Sequence, residues 1–283
     1  MGSRVSSEAI VKVYDSQEND SFPRFLLKNL HEFRIYRFAI FNFVLNNLRM
    51  RYRRSVLGFV WSVLNPLLVM TVISVVFSII FHQDLKTFAV YIFSGLAPWL
   101  YFNAAIIGGC QTIINAEGYL KKVYLPKALF PIVTVSTETA NFLFSLISLY
   151  ILALLLGSQM HWTILWLPLA VVITFLFNLG WAILLGVATV YFRDLSQIML
   201  VAFQALFYLA PIVYPIESIP ERFRGYFLLN PFYYYIMLFR KIIYGEPAIS
   251  LGDWVVTGSM ALVVVLAGFY FLMKQDRDLI YRL

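Results

Sequence analysis

Residues 55–81 carry no charged side chain, and they follow directly on four arginines, Arg49, Arg51, Arg53 and Arg54. A helix needs about 20 predominantly apolar residues to cross a bilayer, so this segment is long enough. Guanidinium groups stay in the headgroup layer while the following helix enters hydrocarbon, and such clusters gather on the cytoplasmic side. The junction therefore constrains both the class of the fold and the direction in which the chain crosses a membrane.

Five further apolar segments have comparable length, and the six are expected at 56–81, 88–114, 129–156, 163–190, 196–215 and 252–273. Only 13% of the residues are charged, about half the share in a soluble domain. The reading is an all-α polytopic membrane protein with six transmembrane helices. With the N-terminus inside, the inner side receives 17 of the 22 Lys and Arg residues; the outer side receives 5, namely Lys86, Arg222, Arg224, Arg240 and Lys241. This asymmetry places both termini in the cytoplasm. It also accounts for the net charge of +7 without a nucleic-acid partner.

Within 32–54, Arg34, Arg37, Asn42, Asn46, Arg49 and Arg53 recur mostly at three- and four-residue steps, with Ile35, Phe38, Ile40, Phe41, Val44, Leu45 and Leu48 between them. An amphipathic helix lying in the inner interface is expected there, among membrane lipids. Residues 1–31 read as a loosely ordered cytoplasmic extension, 55–274 as the six-span domain and 275–283 as a cytoplasmic tail. Between Glu217 and Asp253 the chain is outside. There Pro231-Phe-Tyr-Tyr-Tyr-Ile-Met-Leu-Phe239 is apolar but too short to cross and return, so a re-entrant helical hairpin is expected. Tyr233, Tyr234 and Tyr235 within it suit an interfacial aromatic belt as well as a substrate contact.

The sequence has no Gly-x-x-x-x-Gly-Lys-Ser/Thr, Gly-x-Ser-x-Gly or His-Glu-x-x-His motif, and no paired carboxylates within the spans. Neither P-loop ATP binding nor catalysis is expected of this chain. Cys110 is the single cysteine, and His31, His82 and His161 each lack a second ligand at metal spacing, so no disulfide and no metal site is expected. Asn19-Asp-Ser21 matches a glycosylation sequon but falls on the cytoplasmic side.

Polar and helix-breaking residues instead line up along three spans. Ser55, Gly58, Ser62 and Asn65 form one stripe, Tyr91, Ser94, Pro98 and Tyr101 a second, and Gln197, Gln204, Tyr208, Pro211 and Pro215 a third. Singly, such residues most often pack helix on helix; three stripes together favour a polar path. The candidate path residues are Trp61, Ser62, Asn65, Tyr91, Trp99, Tyr101, Phe102, Gln204, Phe207, Tyr208 and Tyr214. Their rings can stack on sugar C–H faces and hold a polymer weakly at many positions. Glu138 is the one acid well inside a span. An intramembrane carboxylate is a functional candidate, though it can equally neutralise an arginine.

Arg51-Tyr-Arg-Arg-Ser-Val-Leu-Gly-Phe-Val-Trp-Ser-Val-Leu-Asn-Pro66 resembles the first-span signature of type-2 ABC exporter permeases for cell-surface polysaccharides, a family that includes O-antigen, capsule and teichoic acid transporters. Tyr191-Phe-Arg-Asp-Leu-Ser-Gln197, Pro211-Ile-Val-Tyr-Pro215 and Leu229-Asn-Pro-Phe232, leading to Leu238-Phe-Arg240 and Gly245, are similar to later parts of the pattern. The resemblance covers roughly 32–283. It implies a half-transporter of the bacterial plasma membrane that pairs with a second copy and with two ATPase subunits, which hold ATP and Mg; no cofactor is bound by this chain. The loop around Asn115–Tyr124 would be the coupling helix, with Glu117, Tyr119, Leu120, Lys121 and Lys122 meeting the ATPase. Arg49, Arg51, Arg53 and Arg54 would meet the pyrophosphate of a lipid-linked glycan at the inner mouth. The N-terminal extension is longer, and the three tyrosines bulkier, than the pattern. A drug or lipid exporter of the same superfamily, and a membrane assembly factor without transport, are the alternatives.

Overall fold

The computed structural model describes residues 21–51, 53, 55, 57–82, 84–157, 161–245 and 247–283. Every regular element among them is helical. Two helices precede the first span, α1 (Phe22–Ile35) and α2 (Arg37–Arg51), with a break at Tyr36. Pro23 sits in the first turn of α1, where its missing amide hydrogen has no intrahelical partner to lose. Helix therefore begins ten residues before the expected start at 32, and the part of the extension from Phe22 onward is regular rather than loose. The single amphipathic helix expected over 32–54 is replaced by this pair. Its single apolar face is also corrected. Ile40, Phe43 and Val44 of α2 pack on the bundle, whereas Phe38 and Phe41 point away from it, 68% and 59% exposed.

After a short 3-10 turn, α3 (Trp61–Phe81) and α4 (Leu85–Asn115) follow. The one-turn α5 (Glu117–Leu120) then leads into α6 (Leu129–Leu155) and α7 (Leu167–Tyr191). The remaining elements are α8 (Leu195–Tyr208), α9 (Glu221–Leu228), α10 (Pro231–Tyr244), α11 (Leu251–Gln275) and α12 (Leu279–Arg282). Among the described residues five helical segments are long and apolar enough to cross a membrane: Trp61–Ile80, Phe88–Leu120, Leu129–Leu155, Trp162–Tyr191 and Leu251–Gln275. They coincide with five of the six expected segments.

The remaining segment, 196–215, forms only a 14-residue helix, α8. At 1.5 Å per residue it is about 21 Å long, short of a hydrocarbon core of about 30 Å. The reason lies in Pro211 and Pro215. Neither has an amide hydrogen, so the carbonyls four residues earlier, at Phe207 and Pro211, lose their α-helical donors. The chain accordingly leaves the helix at Leu209.

Before the last span, where a re-entrant hairpin is expected, the chain forms two successive helices, α9 and α10, joined at Leu229 and Asn230. Asn230 starts α10 by accepting a hydrogen bond from the Phe232 amide at 3.1 Å, with Pro231 in the first turn. Ser250 and Asp253 form a reciprocal capping box at the start of α11.

The centre of the bundle is α4, α7 and α11 in close contact. A Cβ at Gly109 would stand 2.6 Å from the Ala182 backbone, and one at Gly180 would stand 2.5 Å from the backbone at Val264 and Val265. Only hydrogen fits at these crossings, which lets the helix backbones touch and gain dispersion contacts along their length. Towards α10 the packing is aromatic: Phe102 lies 5.0 Å from Phe232 and 5.6 Å from Tyr235, and Tyr235 lies 4.6 Å from Phe177. By contrast α3 is covered on one face only. Val72, Val76, Ile79 and Ile80 point outward from it.

Candidate functional site

The end of the bundle that carries α1, α2, α5 and α12 holds most of the charged candidates. In α5, Leu120 is buried while Tyr119 is 52% exposed. The Tyr119 ring meets Phe43 of α2 edge-on at 5.5 Å and Phe130 of α6 at 6.1 Å. Lys121 donates to Glu117 at 2.6 Å across one helical turn, and Lys122 is exposed. Leu120 thus anchors this short helix, while Tyr119 and the two lysines that follow it, Lys121 and Lys122, face outward.

Arg49, Arg51 and Arg53 are exposed on or just after α2, and Arg54 lies outside the described residues. Arg51 Nη1 is 3.8 Å from Glu138 Oε2, and Asn141 Nδ2 donates to the same oxygen at 2.9 Å. The intramembrane acid is thus paired with one member of the arginine cluster. Asn47 Nδ2 adds a long hydrogen bond to Thr137 Oγ1 at 3.4 Å, so α2 is tied to α6 by polar contacts as well as packing.

The candidate path residues divide into two groups. Asn65, Gln204 and Tyr208 lie on exposed faces of α3 and α8, with Tyr208 72% exposed. Trp61, Tyr91, Phe207 and Tyr214 are half-buried. The second group departs from expectation. Ser62 is buried, and Trp99, Tyr101 and Phe102 are at most 3% exposed inside the chain's own core. Trp99 is surrounded by Phe203, Phe207 and Phe232 at 5.5, 5.9 and 5.6 Å. Tyr101 stacks on Phe142 at 4.8 Å and its hydroxyl shares a 2.6 Å hydrogen bond with Thr139. These residues therefore line no path in this conformation. The physical reason is the position of α4, which packs against α3, α6, α7, α8 and α10 and keeps little free face. Ser94 shows how its polar stripe is satisfied: the hydroxyl donates to the Tyr91 carbonyl at 2.7 Å.

The three consecutive tyrosines also separate. Tyr235 is fully buried and donates to the Thr257 carbonyl at 2.8 Å, whereas Tyr234 bonds the Leu228 carbonyl at 3.0 Å and Tyr233 is half-buried beside it. Tyr214 donates to the Tyr208 carbonyl, closing the irregular segment back onto the end of α8.

Two arrangements had no place in the sequence reading. Near α12, Lys127 is buried and pairs with Asp276, while Tyr124 donates to Glu32 of α1 at 3.2 Å. Burial pulls the Lys127 ammonium below the usual lysine range, with Asp276 opposing the shift, and burial beside the Glu32 carboxylate pushes the Tyr124 phenol up. At the opposite end Arg240, counted among the outer-side charges, is only 6% exposed. The two prolines four residues apart were the available signal for it, because they leave carbonyls in need of a donor.

The family model described as ABC-2 type transporter matches residues 39–244. The O-antigen export system permease protein RfbA of Myxococcus xanthus is 32% identical over 234 residues, 80% of this chain and 90% of that protein. An RfbA of Klebsiella pneumoniae is 27% identical over 197 residues, 69% of this chain and 76% of that protein. The polysialic acid transport protein KpsM of Escherichia coli is 22% identical over 218 residues, 75% of this chain and 83% of that protein.

Proposed function

The chain belongs to the ABC-2 type transporter family, and we propose that it is the membrane subunit of an ATP-driven exporter that moves a lipid-linked cell-surface polysaccharide across the bacterial plasma membrane. The observation that carries this reading is the likeness to an O-antigen export permease along four-fifths of the chain. The site geometry supports it. The one-turn α5, with exposed Tyr119 and with Lys121 and Lys122 directly after it, offers a seat for a separate ATPase subunit, which would hold ATP and Mg. The exposed faces of α3 and α8 offer a seam at which a second copy completes a path.

On this reading two copies and two ATPase subunits make the working complex, with both termini in the cytoplasm. Arg49 and Arg53, and Arg51 when released from Glu138, receive the pyrophosphate of the lipid carrier; guanidinium forks match phosphate oxygens. ATPase closure shifts α5, and the α3 and α8 faces of the two copies part. Asn65, Gln204 and Tyr208 then meet the sugar chain through loosely placed polar groups and a ring face. The chain itself breaks and makes no covalent bond.

Deleting the gene is expected to abolish the surface polysaccharide and to accumulate its lipid-linked form inside the cell, with both restored by the intact gene. An unchanged surface polysaccharide would overturn the reading. Lost resistance to amphipathic compounds in such a strain would point instead to a drug or lipid exporter.

A further inference from the structure

Arg240 of α10 reaches across the bundle to the segment where α8 has broken off. Its Nη1 donates to the Pro211 carbonyl at 2.7 Å and its Nη2 to the Ile212 carbonyl at 2.6 Å. The guanidinium carbon lies 3.9 Å from the centre of the Tyr91 ring on α4. Gly95, one turn along α4, makes the room: a Cβ there would stand 2.8 Å from Nη2. No carboxylate among the described residues pairs with Arg240, and its Nε, also buried, has no hydrogen-bond partner.

A buried cation without an acid is costly, so its partners must account for its presence. Pro211 lost its helical donor because Pro215 has no amide hydrogen. In a bilayer such a carbonyl finds no water, and irregular backbone survives at that depth only where protein satisfies it. The guanidinium supplies two donors in a fixed plane at the required spacing, and the Tyr91 ring compensates its charge.

We propose that Arg240 is the positioning residue of the outer mouth: it replaces the missing backbone donors and holds segment 209–215, with Tyr208 and Tyr214, in the shape past which the polymer leaves. The proposal rests on the export reading above. It implies that the mouth opens by movement of α8, α10 and the segment as one piece, not by unwinding of the segment.

The test uses the full permease with its ATPase subunit in cells. Arg240→Lys keeps the charge but not the two-donor fork, and Gly95→Ala displaces the guanidinium without changing its chemistry. Val213→Cys, half-buried within the segment, reports its shape through labelling by a membrane-impermeant maleimide. Both variants are expected to assemble, to label about tenfold faster and to export about tenfold less per assembled complex, the scale of one lost charge-assisted hydrogen bond. Unchanged labelling and export in an assembled variant would overturn the proposal. If Arg240→Lys fails to accumulate, Gly95→Ala decides; if both fail to accumulate, the residue serves folding alone and the positioning role falls. Labelling does not depend on what is exported, so the positioning role of Arg240 can fail while the export reading stands.

Discussion

Lys127 Nζ lies 2.8 Å from Asp276 Oδ1 and also donates to the Asp276 backbone carbonyl, although 149 residues separate them. The lysine side chain is 4% exposed and the aspartate 31%. The loop after α5 is thereby fastened to the C-terminal end of α11. Removing one partner strands a charge in a poorly hydrated place, whereas removing both does not. Because Asp276 is partly exposed, Asp276→Asn is expected to lower stability in detergent by about 1–3 kcal/mol, and adding Lys127→Met to recover much of that loss. Thermal unfolding of the two variants checks this; a double variant less stable than the single would contradict it.

The proposed ATPase seat at α5 makes a separate prediction. Lys121→Glu together with Lys122→Glu should leave the permease assembled, because only one exposed i,i+4 pair is lost, worth about 0.3–0.5 kcal/mol. Stimulation of the partner ATPase by substrate should fall to the basal rate. Reconstituted complexes in which stimulation and export both persist would show that α5 is not the coupling element.

Arg49→Ala with Arg53→Ala is expected to reduce export about tenfold with the complex intact, since each forked contact to phosphate is worth roughly 1.5–3 kcal/mol before solvent screening. Lysine at both positions should restore only part of the rate. Glu138→Gln frees Arg51 and should raise, not lower, retention of the lipid-linked substrate at the inner mouth, measured by co-purification.

Burial divides the aromatic candidates by consequence. Trp99→Ala removes a core side chain and should cost about 3–5 kcal/mol of stability, so any loss of export would follow loss of folded protein. Tyr208→Ala touches an exposed ring and should leave stability within about 0.5 kcal/mol while lowering export per folded complex. Equal stability losses in both, measured side by side, would erase the distinction.

The helix crossings give a control pair. Gly180→Ala places a methyl group 2.5 Å from the α11 backbone and should cost about 1–3 kcal/mol. Gly258 has open space around its Cβ position, so Gly258→Ala should be neutral or slightly stabilising. Thermal unfolding distinguishes them.

Hydropathy was enough to find five of the spanning helices, because a helix that crosses hydrocarbon, facing lipid or other helices, is apolar along most of its length. It misjudged 196–215 because a window average ignores amide hydrogens, and two prolines end α8 without lowering apolarity much. Helical spacing misjudged the α4 stripe for a related reason. Ser94 and Tyr101 are polar by composition, but a carbonyl one turn away and the Thr139 hydroxyl satisfy them inside the protein. Exposed candidates such as Asn65, Gln204 and Tyr208 stand on helices with a free face, and no periodicity distinguishes those from α4. The Lys127–Asp276 and Arg240 contacts join segments distant in sequence, where no local pattern reports them.

The shortness of α8 has a consequence for biogenesis. The turn after Tyr191 is only three residues before α8 begins at Leu195, and a 14-residue helix is a weak insertion signal by itself. We expect α7 and α8 to enter the membrane as a pair, with the carbonyls of Pro211 and Ile212 left unsatisfied until Arg240 emerges from the ribosome. Nascent chains arrested before α10 should then keep residue 213 open to thiol reagents, and full-length chains should shield it. Protection in the arrested chains would refute this order. The chain would thus carry a timetable as well as a shape: its broken half-helix stays provisional until a side chain made later arrives to finish it.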